Sequence, residues 1–289
     1  MTDTSLDYSQ KPDLQPLANV VKSLQSITAP AGIEVLLIGA MARDLWLRHG
    51  FGIAVGRQTE DVDFAVMIRD WESFASLRAA LIDSRDFTSR GGPATHRLRH
   101  RDGLPLDIVP FGGIERADRT IAWPPDQATV FDCFGALEAF VASVLVKLPN
   151  DIYLSVASIP ALMILKTVAW NDRKYTHAGK DASDIALFLR NYMDCNDLET
   201  TITDHPDLFG SPGSDYETAG ARLLGRDVAK LLDAGAAERL LAILLPEADP
   251  EGTMLLAGQS GVELERMRQL IEAVCDELAD ALVPRDPKS

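Results

Sequence analysis

This 289-residue sequence has few cysteines and no long apolar run. Cys133, Cys195 and Cys275 are odd in number, far apart and without the short spacings of a metal site. Reduced thiols in a cytoplasmic protein are therefore expected. No apolar run reaches the ~18 residues of a membrane-spanning helix. The polar first twelve residues also lack the apolar centre of a signal peptide, so we expect no association with a membrane.

Basic residues are also scarce. The chain has 28 Lys and Arg against 43 Asp and Glu, a formal net charge of −15. This charge disfavours non-specific binding of nucleic acid through the overall field, so a nucleic-acid substrate would need a local basic patch or metal ions. The most basic run is 96–101, where strand alternation puts Arg97, Arg99 and Arg101 on one face. Such a face suits a polyanionic acceptor such as RNA, and it equally suits neutralisation of a neighbouring acidic site.

The pattern of apolar residues changes near residue 157. Before it, short apolar runs typical of strands alternate with helical segments, and after it the apolar spacing is helical almost to the end. We therefore predict an α+β protein, with a mixed-sheet catalytic lobe at 1–157 and a helical lobe at 158–289. The elements predicted for the first lobe are helices at 13–27, 41–49 and 71–81, the last with Asp70 as its N-cap, strands at 34–38 and 60–67, and hairpins at 95–110 and 143–156. For the second lobe, helices are predicted at 160–170, 180–192, 219–232, 236–245 and 262–282.

Two carboxylates lie at the start of a predicted strand, in the stretch Glu60-Asp61-Val62-Asp63-Phe64. Strand alternation puts Asp61 and Asp63 on one face, roughly 6–7 Å apart. Burial and mutual repulsion both oppose ionisation of such a pair. A divalent cation between the two carboxylates would remove the conflict, so the pair is a candidate metal site.

Two further features complete a candidate active site. Gly39 and Ala40 form a small-residue turn between a strand and a helix, where a phosphate can approach the backbone. Asp107 is a third carboxylate in the middle of a predicted strand. Three carboxylates on adjacent strands can hold two Mg²⁺ ions, with Mn²⁺ as an alternative, in the arrangement that suits attack on a phosphate. Asp107 can also take the proton of the attacking hydroxyl.

These motifs, in this order, resemble the nucleotidyltransferase fold of the polymerase-β superfamily. More narrowly, the chain resembles the AbiEii-like nucleotidyltransferases, a group that includes abortive-infection and toxin–antitoxin proteins. The resemblance covers roughly residues 33–192, and beyond residue 196 there is no family signal. Its matching stretches are LLIGAMARDLWL, RQTEDVDFAV, LDIVPFGGIE and ASIPALMILKTVAWNDR…GKDASDIALFL.

The resemblance implies a reaction and further site residues. The reaction is transfer of a nucleoside monophosphate from a nucleoside triphosphate to an acceptor hydroxyl, with RNA or tRNA as a toxin's acceptor and an antitoxin as a partner. Lys166 is implied to contact the triphosphate, and Lys180, Asp181 and Asp184 to shape the same cleft. Arg57 is equally suited to binding phosphate and to anchoring its loop on Asp61. Arg43 and Asp44 are expected to form a local surface pair.

Two other functions stay open at this point. The acceptor could be a small molecule such as an aminoglycoside, or a protein side chain. The chain could also be a non-catalytic nucleotide-binding or partner-binding module on the same fold. Ala40 favours this last alternative mildly, because many relatives have a serine there, whereas the intact Asp61, Asp63 and Asp107 argue against it.

Overall fold

The computed structural model describes residues 6–56, 59, 61–90, 96–176, 179–210 and 215–283. The chain divides into two compact units, 1–158 and 159–289. The first combines a mixed sheet with helices and the second is helical, so the predicted α+β class is confirmed. None of the helices over the described residues has the length and apolar character needed to cross a bilayer.

The first unit is built on an eight-stranded sheet with the order β1-β9-β10-β2-β3-β6-β5-β4. A separate two-stranded sheet pairs β7 with β8. The strands are β1 Leu6–Asp7, β2 Val35–Ile38, β3 Val62–Met67, β4 Phe87–Ser89, β5 Arg97–His100, β6 Pro105–Phe111, β7 Thr120–Ala122, β8 Val130–Asp132, β9 Val144–Leu148 and β10 Ile152–Val156.

In the part of this unit that the structure describes, four α-helices accompany the sheet, and local sequence accounts for where α3 begins. In α3, the Asp70 side chain accepts a hydrogen bond of 2.7 Å from the Ser73 N–H, so the predicted N-cap is confirmed. The helix α2 continues as a π-helical turn over Leu45–Gly50. The helices of this unit are α1 Gln15–Thr28, α2 Gly39–Asp44, α3 Trp71–Asp83 and α4 Ala136–Val141.

The predicted hairpins are present. β5 and β6 are antiparallel around the turn at Gly103, whose φ of +93° suits glycine. β9 and β10 are antiparallel as well. β3 pairs with β2 on one side and β6 on the other. It is therefore a central strand, which explains its apolar character.

The sheet presents one buried face and one partly open face at its β3–β6–β5 region. Val62, Phe64, Leu106 and Leu98 point into the buried face and are at most 1% exposed. Asp63 and Asp107 alternate with them and are partly exposed, and Arg97 is exposed. Strand alternation therefore brings the charged side chains of three strands to the same open face.

The second unit consists of helices that bury their apolar faces on one another. The predicted helices of this region are all present, with small differences at their ends. Prediction ended one helix at Leu245, before Pro246, but α9 continues to Ala248 because a proline in the last turn removes only one N–H group. The helices are α5 Ile159–Arg173, α6 Gly179–Asn191, α7 Leu198–Asp204, α8 Tyr216–Ala229, α9 Ala234–Ala248, α10 Leu255–Ser260 and α11 Leu264–Leu282.

Candidate active site

Gly39 lies directly against Asp63. β2 ends at Ile38, which pairs with Asp63 across the β2–β3 ladder, and Gly39 follows with a φ of +71° as the first residue of α2. A Cβ atom at Gly39 would stand 2.1 Å from Asp63 Oδ2 and 2.9 Å from its Cγ. Glycine is therefore required here for two reasons, backbone conformation and lack of space. Ala40, the second residue of the turn, is buried.

The structure brings Asp63 and Asp107 together. They are direct partners in the parallel β3–β6 ladder, so their side chains leave the same face of the sheet on neighbouring strands. Asp61 precedes β3 and is exposed. Its charge is close enough to raise the pKa of Asp107. Two of the three predicted carboxylates, Asp63 and Asp107, thus lie side by side on adjacent strands, and Asp61 lies just before the first of them.

Asp107 is held in a partly buried environment. Burial is the main effect that raises the pKa of its carboxyl above the usual value, and the nearby His96 and Arg97 act in the opposite direction. Its Oδ2 lies 3.5 Å from His96 Nε2 and 3.8 Å from Arg97 Nε. Burial lowers the pKa of His96. Of the arginines in the basic run, Arg97 on β5 therefore lies where it can partly neutralise Asp107, as one of the two interpretations of that run predicts.

The carboxylates have the chemistry of a site for a hard cation, because Mg²⁺ and Mn²⁺ prefer oxygen ligands. The Asp63 carboxylate itself occupies the space that a Cβ atom at position 39 would need. Across the residues that the structure describes, however, no group of three or more His, Cys, Asp or Glu side chains is arranged to hold a metal ion. The donor set therefore fits the predicted cation, while a closed three-ligand cage is not preformed.

Arg43 and Asp44 form a buried pair, so the expectation of a surface pair is wrong. Arg43 is 0% and Asp44 5% exposed. Arg43 Nε and Nη2 donate to Asp44 Oδ1 at 2.8 and 2.5 Å, and the Thr59 hydroxyl donates to Asp44 Oδ2 at 2.5 Å. The pair therefore ties α2 to the loop residue that precedes Asp61 by two positions. Helical periodicity gave no sign of this link, which depends on a loop that sequence patterns do not place.

The remaining predicted nucleotide-binding residues are Arg57 in the first unit and Lys166, Lys180 and Asp184 in the helical unit. Arg57 lies outside the described residues. Lys166 is buried in the helical unit, where its Nζ lies 3.2 Å from Asp181 Oδ1 and 2.7 Å from Asp184 Oδ2. Asp181 also accepts hydrogen bonds of 2.6 and 2.9 Å from the Arg173 guanidinium. Lys180 is exposed. Binding of nucleotide by these residues stays a prediction.

Comparison with known structures found similar folds at low identity. An antigenic nucleotidyltransferase-like protein from Paracoccidioides brasiliensis is 17% identical, with a TM-score of 0.39 over 66% of this chain and 89% of that one. JHP933 from Helicobacter pylori is 12% identical, with a TM-score of 0.32 over 94% and 93% of the two chains. The antibiotic-resistance factor ANT(2'')-Ia is 12% identical, with a TM-score of 0.32 over 66% and 98%. Similarities of this size carry no information on substrate. No curated protein matches the sequence.

The family comparison is decisive. A glycine turn beside paired strand carboxylates in an α+β chain is the arrangement of a nucleotidyltransferase, and this enzyme class is confirmed. Residues 23–251 match the family described as "Nucleotidyl transferase AbiEii toxin, Type IV TA system". The chain belongs to this AbiEii family, and the predicted AbiEii-like resemblance is confirmed.

Proposed function

We propose that this protein transfers a nucleoside monophosphate from a nucleoside triphosphate to an acceptor hydroxyl, with a divalent cation as cofactor. The observation that carries the proposal is the register of Asp63 with Asp107, together with the close approach of Asp63 to the glycine turn at Gly39. These residues come from separate parts of the chain, and the fold gathers them at one place on a partly open sheet face.

The residues have separate roles in this proposal. Asp61 and Asp63 hold the cation, which when bound stabilises negative charge on the phosphates. Gly39 gives the triphosphate access to the backbone N–H groups at the start of α2. Asp107 lies on the neighbouring strand and takes the proton from the acceptor hydroxyl. Ala40 contributes no hydroxyl, so the turn binds phosphate through its backbone alone.

RNA or tRNA is the proposed acceptor, and an antitoxin is a proposed partner. The antitoxin is supported by the family, which is described as the toxin of Type IV toxin–antitoxin systems. RNA is the acceptor that the resemblance to toxin nucleotidyltransferases implies. A small-molecule acceptor of the antibiotic-modifying type is kept as an alternative outcome of the experiment.

Label transfer tests the proposal. The purified protein is incubated with each α-labelled nucleoside triphosphate, Mg²⁺ or Mn²⁺, and either total RNA or a panel of aminoglycosides, and pyrophosphate release is followed in parallel. We expect label on RNA, dependence on the cation, and loss of transfer in Asp63→Asn with an unchanged circular-dichroism spectrum. Transfer retained in Asp63→Asn would remove these carboxylates from the mechanism. Label on the aminoglycosides and not on RNA would show that the acceptor is a small molecule.

A further inference from the structure

The open face of the sheet has an acidic half and a basic half. Asp63 on β3 is paired with Asp107 on β6, and Asp107 is paired with Arg97 on β5. The row continues to Arg90, whose backbone N–H donates to the Arg97 carbonyl at 3.1 Å. Charge therefore changes from negative to positive across four neighbouring positions of one sheet.

Two residues further along β5, Arg99 adds one more basic side chain, and its partners in the ladders are Pro105 on β6 and Thr88 on β4. Arg99 alternates with the buried Leu98 and so lies on the same face as Arg97. Alternate residues of a strand are roughly 6–7 Å apart. The two guanidinium groups therefore form a line parallel to β5, and Arg90 lies beside it.

Neutralisation of Asp107 does not account for all three arginines. Arg97 Nε is 3.8 Å from Asp107 Oδ2, and its side chain is still 61% exposed. Arg99 is exposed and donates to the Gly103 carbonyl at 2.8 Å. Considering only residues that the structure describes, neither Arg99 nor Arg90 has an acidic oxygen within 4.0 Å. Arg101, in contrast, pairs with Asp86 at 2.9 Å and is not part of the surface.

The order of the strands gives the surface a direction. The sequence of neighbours is β2, β3, β6, β5, so Gly39 and the arginines lie on opposite sides of Asp63. In a phosphoryl transfer, the attacking and leaving oxygens are roughly in line on opposite sides of the phosphorus. If the triphosphate lies at Gly39, as proposed above, the acceptor arrives from the side of β6 and β5.

We propose that Arg90, Arg97 and Arg99 bind the phosphate backbone of the RNA acceptor and direct its hydroxyl to Asp107. The side from which the acceptor approaches rests on the proposed function, which puts the triphosphate at Gly39. The choice of a polyanion as the ligand rests on charge complementarity. An exposed row of guanidinium groups attracts a linear polyanion and repels a cationic acceptor such as an aminoglycoside. In a chain of net charge −15, such a local surface supplies the attraction that the overall field lacks.

The experiment measures the affinity of a fluorescein-labelled single-stranded RNA of mixed sequence at several salt concentrations. The variant is Arg97→Gln/Arg99→Gln, and Arg97→Lys/Arg99→Lys keeps the charge. Arg69→Gln is the matched control, because Arg69 is in the same unit, 84% exposed, and follows the opposite end of β3. We expect a roughly tenfold or greater loss of affinity in the Gln variant, and a salt slope reduced by about 0.7 for each arginine lost.

Binding of nucleoside triphosphate by the same variants separates this proposal from the proposed function. Unchanged triphosphate binding with weakened RNA binding supports the acceptor surface. Equal RNA affinity in the Gln variant and Arg69→Gln overturns it, whatever the activity of the enzyme. Loss of triphosphate binding in the Gln variant also overturns it and assigns the arginines to the nucleotide. Wild-type protein that binds RNA through these arginines but transfers no label would contradict the proposed function alone.

Discussion

Gly39 and Asp63 lie so close together that no methyl group fits between them. The position of a Cβ atom on Gly39 is 2.1 Å from Asp63 Oδ2, and 3.0 Å from Asp63 Cβ. The contact involves the base of the aspartate side chain as well as its tip. A rotation of the carboxylate alone therefore does not relieve it, and the backbones of β2 and β3 would have to separate.

Gly39→Ala is expected to abolish transfer by displacing Asp63. The substitution also places alanine at a φ of +71°, which costs about 1–2 kcal/mol in a left-handed conformation. Activity and the free energy of unfolding are measured together to separate the two effects.

Gly52→Ala is the matched control. Gly52 has nearly the same φ, +70°, and a Cβ atom there would meet nothing within 4 Å. We expect a similar conformational cost with transfer largely retained. Equal activity in the two variants would show that the close contact of Gly39 with Asp63 has no part in the reaction.

Substitution of Lys166 distinguishes a purely structural role for this buried side chain from the predicted contact with the triphosphate. Lys166→Met removes a positive charge from between Asp181 and Asp184, both 0% exposed, and is expected to lower the free energy of unfolding by about 3 kcal/mol. Lys166→Met/Asp184→Asn also removes one of the two negative charges and should restore much of the stability. Thermal or urea unfolding reports both changes.

Activity of the double variant then decides the role predicted for Lys166. If Lys166 contacts the triphosphate, transfer in the double variant stays well below that of Asp184→Asn alone although the fold is restored. Recovery of transfer together with stability would show that Lys166 acts only through the fold.

The sequence predicted much of the first unit because its signals are local. Asp70 as an N-cap, the turn at Gly103 and the apolar alternation around Phe64 are each determined by a few neighbouring residues. The order of the strands and turns, together with the family resemblance, also predicted the grouping of Asp61, Asp63 and Asp107. The pairing of Asp63 with Asp107 depends on a register between strands more than forty residues apart, and periodicity alone does not determine such a register.

Other features depend on contacts that no local pattern encodes. The environment of Arg43 is one such feature. A charged residue on a short helix is usually exposed, but here the guanidinium is buried and donates hydrogen bonds to Asp44 and Thr59. The partners of Lys166 are another, because they lie fifteen and eighteen residues away on the next helix. Strands of two or three residues, such as β1 and β8, contain too few residues for an alternation to be recognised.

The cysteines are expected to be unreactive in the folded protein. Burial raises the pKa of Cys133, Cys195 and Cys275 to about 12 in each case. The thiol is protonated below its pKa, so almost no thiolate is present at pH 8, and alkylation requires the thiolate. Iodoacetamide at pH 8 should label no cysteine in native protein and all three in guanidinium chloride, counted by mass spectrometry. Rapid labelling of Cys133 or Cys275 in native protein would contradict their burial.

A buried carboxylate joins two helices of the second unit. Glu277 on α11 accepts hydrogen bonds of 2.7 Å from Arg222 Nε and from Arg226 Nε, both on α8. The glutamate side chain is 7% exposed, and the arginines are about one-fifth exposed. Asp207 contacts both guanidinium groups from the more exposed side.

Glu277→Gln is expected to lower the free energy of unfolding by roughly 2–3 kcal/mol. A neutral amide can accept a hydrogen bond from one arginine, but it leaves two partly buried positive charges with Asp207 as their remaining acidic partner. Because the arginines are partly exposed, the loss of stability is smaller than for a fully buried pair. Glu272→Gln is the control on the same helix, since Glu272 is 50% exposed and pairs with Arg268 at 3.0 Å. Its expected effect is within about 0.5 kcal/mol. Equal effects of the two substitutions in urea unfolding would show that the α8–α11 contact depends on its apolar side chains and not on Glu277.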